Sequence, residues 1–301
     1  MKNKKIKYTY NVLGLAIIIF LAIREICGAL FAGFGFQADS FSGIGIYMVI
    51  FLASCLVPTI MMENVLGVHP KMFKKVNPEN AINLVFYSYL IIFITGIANG
   101  IIHALLKMIG LDFKQRLIQL PENKFILVLY FVFICIMPAI LEEIFIRGYV
   151  FNAFKQWGQT FAIFVSSLCF ALMHSSLDNI LVYFVCGVLL AIVYIITDSI
   201  FTCMLLHFVN NTVSFFIMYF QQQVNAVSAL TMIAYINVAT IVFGIIAKLY
   251  LDKNNIRIRD YIRKDDELFK KLMASSKSYF AISAFALLLF FAAYQSFISL
   301  T

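Results

Sequence analysis

The sequence predicts an all-α fold, a polytopic bundle of transmembrane helices, from its composition and the spacing of its apolar runs. Hydrophobic residues make up 62% and charged residues 13% of its 301 residues, whereas soluble proteins have about 45–50% and about 25%. The apolar residues fall in long runs, and a helix needs about 20 of them to cross a bilayer. The weak polar–apolar alternation typical of a membrane β-barrel is not found in these runs.

Nine apolar runs follow one another along the chain, and each is a candidate span. They cover 11–34, 41–62, 81–105, 125–153, 160–175, 179–197, 199–220, 226–249 and 279–299. The fifth and sixth runs are short for a full crossing, so we predict eight or nine spans. The first run is longer than the apolar part of a signal peptide and carries Arg24 and Glu25, so we predict an uncleaved span. No repeat or linker divides the chain, and 1–301 is predicted to be a single integral membrane domain.

The basic residues lie where a membrane topology predicts them. The net charge of +8 would suit nucleic acid, but the lysines and arginines cluster before the first run, between the second and third, and at 251–277. With a cytoplasmic N-terminus all three segments are cytoplasmic, as the positive-inside rule requires, and the C-terminus is outside. The segment 107–124 would carry positive charge outside, and we interpret it as an amphipathic helix at the membrane surface. This charge pattern predicts that the protein contacts the lipid bilayer and does not bind nucleic acid.

Two adjacent glutamates, Glu142 and Glu143, stand inside the fourth apolar run. An ionised carboxylate is costly there unless a partner compensates it, so the pair suggests a functional site. Arg147 lies four residues after Glu143, which predicts an ion pair on one helix face. Glu142 is rotated from Glu143 by about 100° and remains free for chemistry. The alternative is that both glutamates mark a helix end at the membrane surface.

Polar side chains recur at one-turn spacing in two later runs. His174 lies four residues after Phe170, and Asn211 lies four residues after His207. Either histidine alone could simply bridge neighbouring helices. However, a rise of about 1.5 Å per residue puts Glu142 and these three polar residues about 14 to 22 Å from the cytoplasmic ends of their helices. With helix tilt they can meet in one layer, and this shared depth favours a common site.

A glutamate, two histidines and an asparagine can together hydrolyse an amide bond. A carboxylate beside a histidine can take a proton from water, and the hydroxide equivalent attacks a carbonyl. The other imidazole and the amide can donate hydrogen bonds to the oxyanion that forms. The serines near His174 lack the G-x-S-x-G elbow of a serine hydrolase. These residues therefore predict a peptidase without a covalent nucleophile.

Three motifs in this region resemble those of a known family. Residues 142–148, EEIFIRG, resemble the EExxxR motif of the CAAX prenyl endopeptidase and bacteriocin-processing (CPBP or "Abi") family of intramembrane glutamic endopeptidases. Residues 170–174, FALMH, match its FxxxH motif, and residues 207–211, HFVNN, match its HxxxN motif. The resemblance runs over about 138–212, and it makes 125–220 the expected catalytic core.

The resemblance implies a role for each matched residue. Glu142 would activate water with assistance from His174, and His207 and Asn211 would stabilise the oxyanion. The supporting residues would be Glu143, Arg147 and Phe170. The resemblance implies no cofactor and no metal.

Other functions remain open at this point. A zinc protease could use Glu142, His174 and His207 as ligands, although the chain lacks HExxH. A non-catalytic immunity or scaffold protein is possible, since family members are associated with bacteriocin self-protection; a proton-relaying transporter would need paired repeats that the sequence lacks. The six cysteines show no CxxC spacing and indicate buried thiols. The chain is rich in Phe, Ile, Lys and Asn, which suggests a bacterial source and therefore a bacterial cytoplasmic membrane. We expect the substrate to be a peptide precursor or a membrane-protein segment, not a prenylated protein.

Overall fold

The computed structural model describes residues 2–36, 40–70, 74–110 and 119–262, together with a few positions between 278 and 290. Every regular element within these residues is a helix, which confirms the predicted all-α bundle. Seven of the described helices are long and apolar enough to cross a membrane. We name them α1 (Lys4–Gly33), α2 (Phe41–Leu66), α3 (Pro78–Met108), α4 (Lys124–Lys155), α6 (Ile180–Thr197), α7 (Ile200–Gln223) and α8 (Ala226–Lys253). Between α4 and α6 lies a shorter apolar helix, α5 (Gln159–Met173).

The first eight predicted runs all correspond to these helices, usually with longer ends. A short helix, α9 (Ile258–Tyr261), follows α8. Outside the described residues lie most of the ninth run at 279–299, most of the predicted cytoplasmic loop at 251–277 and the core of the predicted surface helix at 107–124. The span count is thus consistent with the prediction over the part of the chain that the structure describes.

Short polar residues start several of these helices. The side chain of Ser40 accepts from the Gly43 N–H, that of Asn77 from Glu79 and Asn80, and that of Asn123 from Phe125 and Ile126. Such caps satisfy backbone donors that have no partner within the helix. At the other end, α2 stops at Gly67 with φ +61° and α6 stops at Asp198 with φ +50°, both in the left-handed conformation that terminates helices.

Helix α5 is too short to cross the bilayer. Its 15 residues span about 22 Å, against about 30 Å for the hydrocarbon core. A helix of this length that starts at a membrane surface ends within the hydrocarbon layer, which would put His174, the next residue, at membrane depth.

Two spans contain π-helical turns near the polar residues. They occupy Ala22–Cys27 in α1, and Val132–Ile136 and Ile144–Phe151 in α4. Glu142 and Glu143 fall in the α-helical stretch between the two π segments of α4. Such turns occur frequently at functional sites, because they change the direction in which side chains point.

Helices α5 and α6 touch at a glycine. A Cβ atom added to Gly187 would lie 2.9 Å from the Cα atom of Ser167, so a side chain is excluded where the two backbones cross. Small residues at such crossings let membrane helices approach closely. This contact fixes the distance between α5, which precedes His174, and α6.

Candidate active site

Glu143 lies fully buried at the junction of three helices. Its Oε1 atom accepts a hydrogen bond from Nη1 of Arg147 at 2.9 Å and lies 2.9 Å from Nδ1 of His207 on α7. Arg147, also fully buried, donates through Nη2 to the carbonyl oxygen of Gly187 on α6 at 3.0 Å. The ion pair expected from the four-residue spacing is therefore present, and it joins α4 to both α6 and α7.

Phe170 on α5 closes this buried cluster. The guanidinium of Arg147 lies 4.7 Å from the centre of the Phe170 ring, close enough for a cation–π contact. The same ring meets His207 edge-on at 5.5 Å and His174 in a tilted contact at 4.6 Å. Phe170 therefore separates the two histidines and fixes the distance of each from α5.

Glu142 faces a different partner from Glu143. Its Oε2 atom lies 3.8 Å from Nε2 of His174, and the two side chains are 12% and 21% exposed. Nδ1 of His174 lies 2.8 Å from the carbonyl oxygen of Phe170. Because a carbonyl can only accept, Nδ1 carries the proton, and in the neutral ring Nε2 presents its lone pair to Glu142.

Asn211 contacts the backbone of α4. Its Nδ2 atom donates to the carbonyl oxygen of Ile134 at 3.2 Å, and its Oδ1 atom accepts from Asn210 at 3.3 Å. Pro138, four residues after Ile134, has no N–H to give to that carbonyl. The Asn211 side chain thus donates to the Ile134 carbonyl, which receives no hydrogen bond from Pro138. Its amide group lies against the helical turn that precedes the two glutamates.

The four predicted catalytic residues thus meet α4 at three places. Glu142 and His174 face each other, and His207 and Asn211 approach α4 separately, at Glu143 and at Ile134. Among the described residues, no group of three or more His, Cys, Asp or Glu side chains could hold a metal ion.

Three residues at the site were not expected from the sequence. Tyr183 on α6 stacks on the His174 ring at 4.0 Å with 23° between the planes, and Gly187 receives Arg147. Arg24 on α1 reaches the residues on either side of His174. A charge within an apolar run was a signal for Arg24, whereas a tyrosine and a glycine in an apolar helix carry none.

One comparison with known proteins gives a match. A protein-family model described as type II CAAX prenyl endopeptidase Rce1-like matches residues 124–213. The matched segment runs from the start of α4 into α7, less than half of the chain, and contains all three motifs, so it supports the family resemblance that the motifs indicate. No curated protein and no solved structure matches the chain.

Proposed function

Residues 124–213 match the model of the type II CAAX prenyl endopeptidase family, and from that premise we propose that the chain is an intramembrane glutamic endopeptidase. The observation that carries this proposal is the pairing of Glu142 with His174. The two side chains face each other at 3.8 Å inside the membrane region, and both are partly exposed. Of the two carboxylate–imidazole pairs that the adjacent glutamates make, this is the more open one, because His207 is engaged with the fully buried Glu143.

The Glu142–His174 pair is suited to hold and activate water. A gap of 3.8 Å is too wide for a direct hydrogen bond, but one oxygen atom between the two groups can lie about 2.8 Å from each. Glu142 takes one proton from this water, while the Nε2 lone pair of His174 accepts a hydrogen bond from the O–H that remains. The oxygen then attacks the scissile carbonyl carbon, and the C=O electrons move onto the carbonyl oxygen. When the C–N bond breaks, Glu142 returns its proton to the leaving amine.

His207 and Asn211 would stabilise the oxyanion. Nδ1 of His207 lies at hydrogen-bond distance from Glu143, so the mechanism requires a proton on Nε2 as well, which donates to the oxyanion. Asn211 uses one of its two amide hydrogens for Ile134, and the second remains to donate. Donors fixed in this way before the reaction are worth about 3–4 kcal/mol each.

We infer that the reaction needs no metal, because Glu142 and His174 suffice to activate water and Glu143 is occupied by Arg147 and His207. A zinc protease built on Glu142, His174 and His207 and a non-catalytic immunity protein remain the two rival functions. Each of them predicts a different result in the experiments below.

Cleavage by protein in liposomes tests the proposal. Three peptides serve as substrates: a transmembrane helix, an amphipathic peptide precursor, and a peptide with a prenylated cysteine three residues from its C-terminus. Mass spectrometry of the products identifies the bond that is cut. We expect cleavage of at least one peptide by the wild type and by Glu79→Gln, a matched control at an exposed glutamate of α3, and loss of cleavage in Glu142→Gln.

We further propose that the protein resides in a bacterial cytoplasmic membrane and cuts a peptide precursor or a membrane-protein segment. The substrate is found by comparing peptides that accumulate in a deletion strain with those in strains that carry the wild type or Glu142→Gln. If Glu142→Gln restores the wild-type phenotype in full, the immunity function is correct and proteolysis is not required.

A further inference from the structure

The first span contains a charged pair that the mechanism above does not use. Arg24 and Glu25 lie in the π-helical turn Ala22–Cys27 of α1, far from the matched segment 124–213 in the sequence. The Arg24 side chain is only 24% exposed, and a guanidinium within a membrane helix is costly unless its donors are satisfied. The positions of its donors therefore indicate what it does.

Arg24 holds the residues on both sides of His174. Nη1 donates to the carbonyl oxygen of Met173 at 2.6 Å, and Nη2 donates to Oγ of Ser175 at 2.8 Å. Nε donates to Oε1 of Glu25 at 2.8 Å, which keeps the guanidinium paired with a carboxylate. The two Nη atoms thus bracket His174 without contacting its ring.

The turn that carries His174 needs such support. Helix α5 ends at Met173, and the last carbonyls of a helix lack partners within it; a cation there also interacts favourably with the helix dipole. Ser175 has φ +52°, a left-handed conformation that costs a non-glycine residue about 1–3 kcal/mol and persists only where the surroundings impose it. Arg24 satisfies the carbonyl before the histidine and fixes the strained residue after it.

Helix α3 holds the far end of the same turn. Nδ2 of Asn99 donates to the carbonyl oxygen of Asp178 at 3.0 Å, and Nε2 of His103 lies 2.6 Å from that oxygen. The carboxylate of Asp178 in turn accepts from Ser176 at 2.6 Å. The far end of the turn is thus fixed to α3. The position of its near end, next to α5, depends on Arg24.

We propose that Arg24 is a positioning residue for the peptidase reaction, which holds His174 in line with Glu142 by bonding to Met173 and Ser175. This inference rests on the proposed function of the Glu142–His174 pair. It makes α1 part of the catalytic unit, although α1 lies outside the matched segment. A displacement of about 1 Å at a catalytic group can lower the rate about 10²-fold.

A pair of variants isolates the role of Arg24. Glu25→Gln is the control, because glutamine still offers an oxygen to Nε and leaves both contacts with the turn. Arg24→Met in the same Glu25→Gln background removes those contacts without leaving a carboxylate unpaired. We expect the control to cleave within about twofold of the wild type, and the double variant to lose about 10²-fold in kcat with KM nearly unchanged. Arg24→Lys should recover part of the rate, since an ammonium can donate to the turn but lacks the fork of the guanidinium.

Two further measurements distinguish positioning from a general effect on the fold. In a His174→Ala background, Arg24→Met with Glu25→Gln should cause no further loss in kcat, because Arg24 acts only through His174. Amide hydrogen exchange, which needs no substrate, should quicken at 173–178 and stay unchanged in α8. If exchange at 173–178 is the same in the control and the double variant, the proposal is overturned, whether or not kcat falls. If the wild type cleaves none of the peptides, the proposed function fails, and the exchange data still decide whether Arg24 holds the turn.

Discussion

Replacing Gly187 by alanine tests whether the spacing of α5 and α6 controls the site. The added Cβ would lie 2.9 Å from Cα, 3.1 Å from Cβ and 3.3 Å from the carbonyl oxygen of Ser167. Carbon atoms in contact prefer about 3.5–4.0 Å, so the two helices must separate by roughly half an ångström or more. Backbone atoms and a Cβ cannot rotate away as the end of a long side chain could.

The separation has two consequences that the structure allows us to estimate. Overpacking of this kind costs about 1–3 kcal/mol. The carbonyl of Gly187 also moves away from Nη2 of Arg147, now at 3.0 Å, and a hydrogen bond to a charged group is worth about 1.5–3 kcal/mol. Tyr183, one turn before Gly187, moves with α6 and loosens its 4.0 Å stack on His174. We therefore expect a loss of about 2–5 kcal/mol in stability and a lower rate of cleavage.

Thermal unfolding in detergent and cleavage in liposomes measure the two effects. Gly96→Ala is the matched control, because Gly96 lies within helix α3 and a Cβ there meets no atom within 4 Å. That control should be neutral or slightly more stable, since alanine is the better helix former by about 0.5–1 kcal/mol. Wild-type stability and activity in Gly187→Ala, or an equal loss in Gly96→Ala, would refute the reasoning.

Four further predictions concern the reaction, the buried ion pair, the metal and the topology. Glu142→Gln keeps the shape of the side chain but removes the base, so the cleavage rate should fall about 10²–10⁴-fold with an unchanged melting temperature; full activity would exclude Glu142 as the base. Arg147→Met leaves Glu143 short of a cation and should destabilise the protein by about 3–5 kcal/mol, and adding Glu143→Gln should restore stability but not cleavage. Elemental analysis should find no stoichiometric zinc and a strong chelator should leave cleavage intact, whereas activity lost on chelation and regained with zinc would make Glu142 a ligand. Reporter fusions should place the N-terminus and 251–277 in the cytoplasm, and an external 251–277 would change the span count.

The sequence predicted those parts of the site that depend on spacing within one helix. Arg147 follows Glu143 by one turn, so their ion pair needs only a helix, and the rotation between neighbours sends Glu142 to another face. The depth argument also brought His174 to the level of Glu142, because the rise per residue is constant. The short fifth run, a weak span by length, forms a 15-residue helix that ends directly before His174.

Contacts between distant segments could not be predicted in this way. The bond from Asn211 to Ile134 depends on how α7 packs against the turn that Pro138 interrupts, and nothing in the local sequence of α7 encodes that packing. Tyr183 stacks on His174 because α5 and α6 cross at Gly187, a close approach visible only in three dimensions. Arg24 stood out as a charge in an apolar run, but its partners Met173 and Ser175 lie about 150 residues away.

The two adjacent glutamates differ in their surroundings, and this difference argues for their separate roles. Glu143 is fully buried and its Oε1 atom is held by Arg147 and His207 at 2.9 Å each. A carboxylate held in this way is poorly placed to accept a proton from water during the reaction. Glu142 is 12% exposed and has an imidazole at 3.8 Å, which leaves it room to meet water and substrate. Neighbouring carboxylates whose environments diverge commonly divide acid–base and supporting roles, and on this ground we propose that Glu143 orients His207 and that Glu142 is the base.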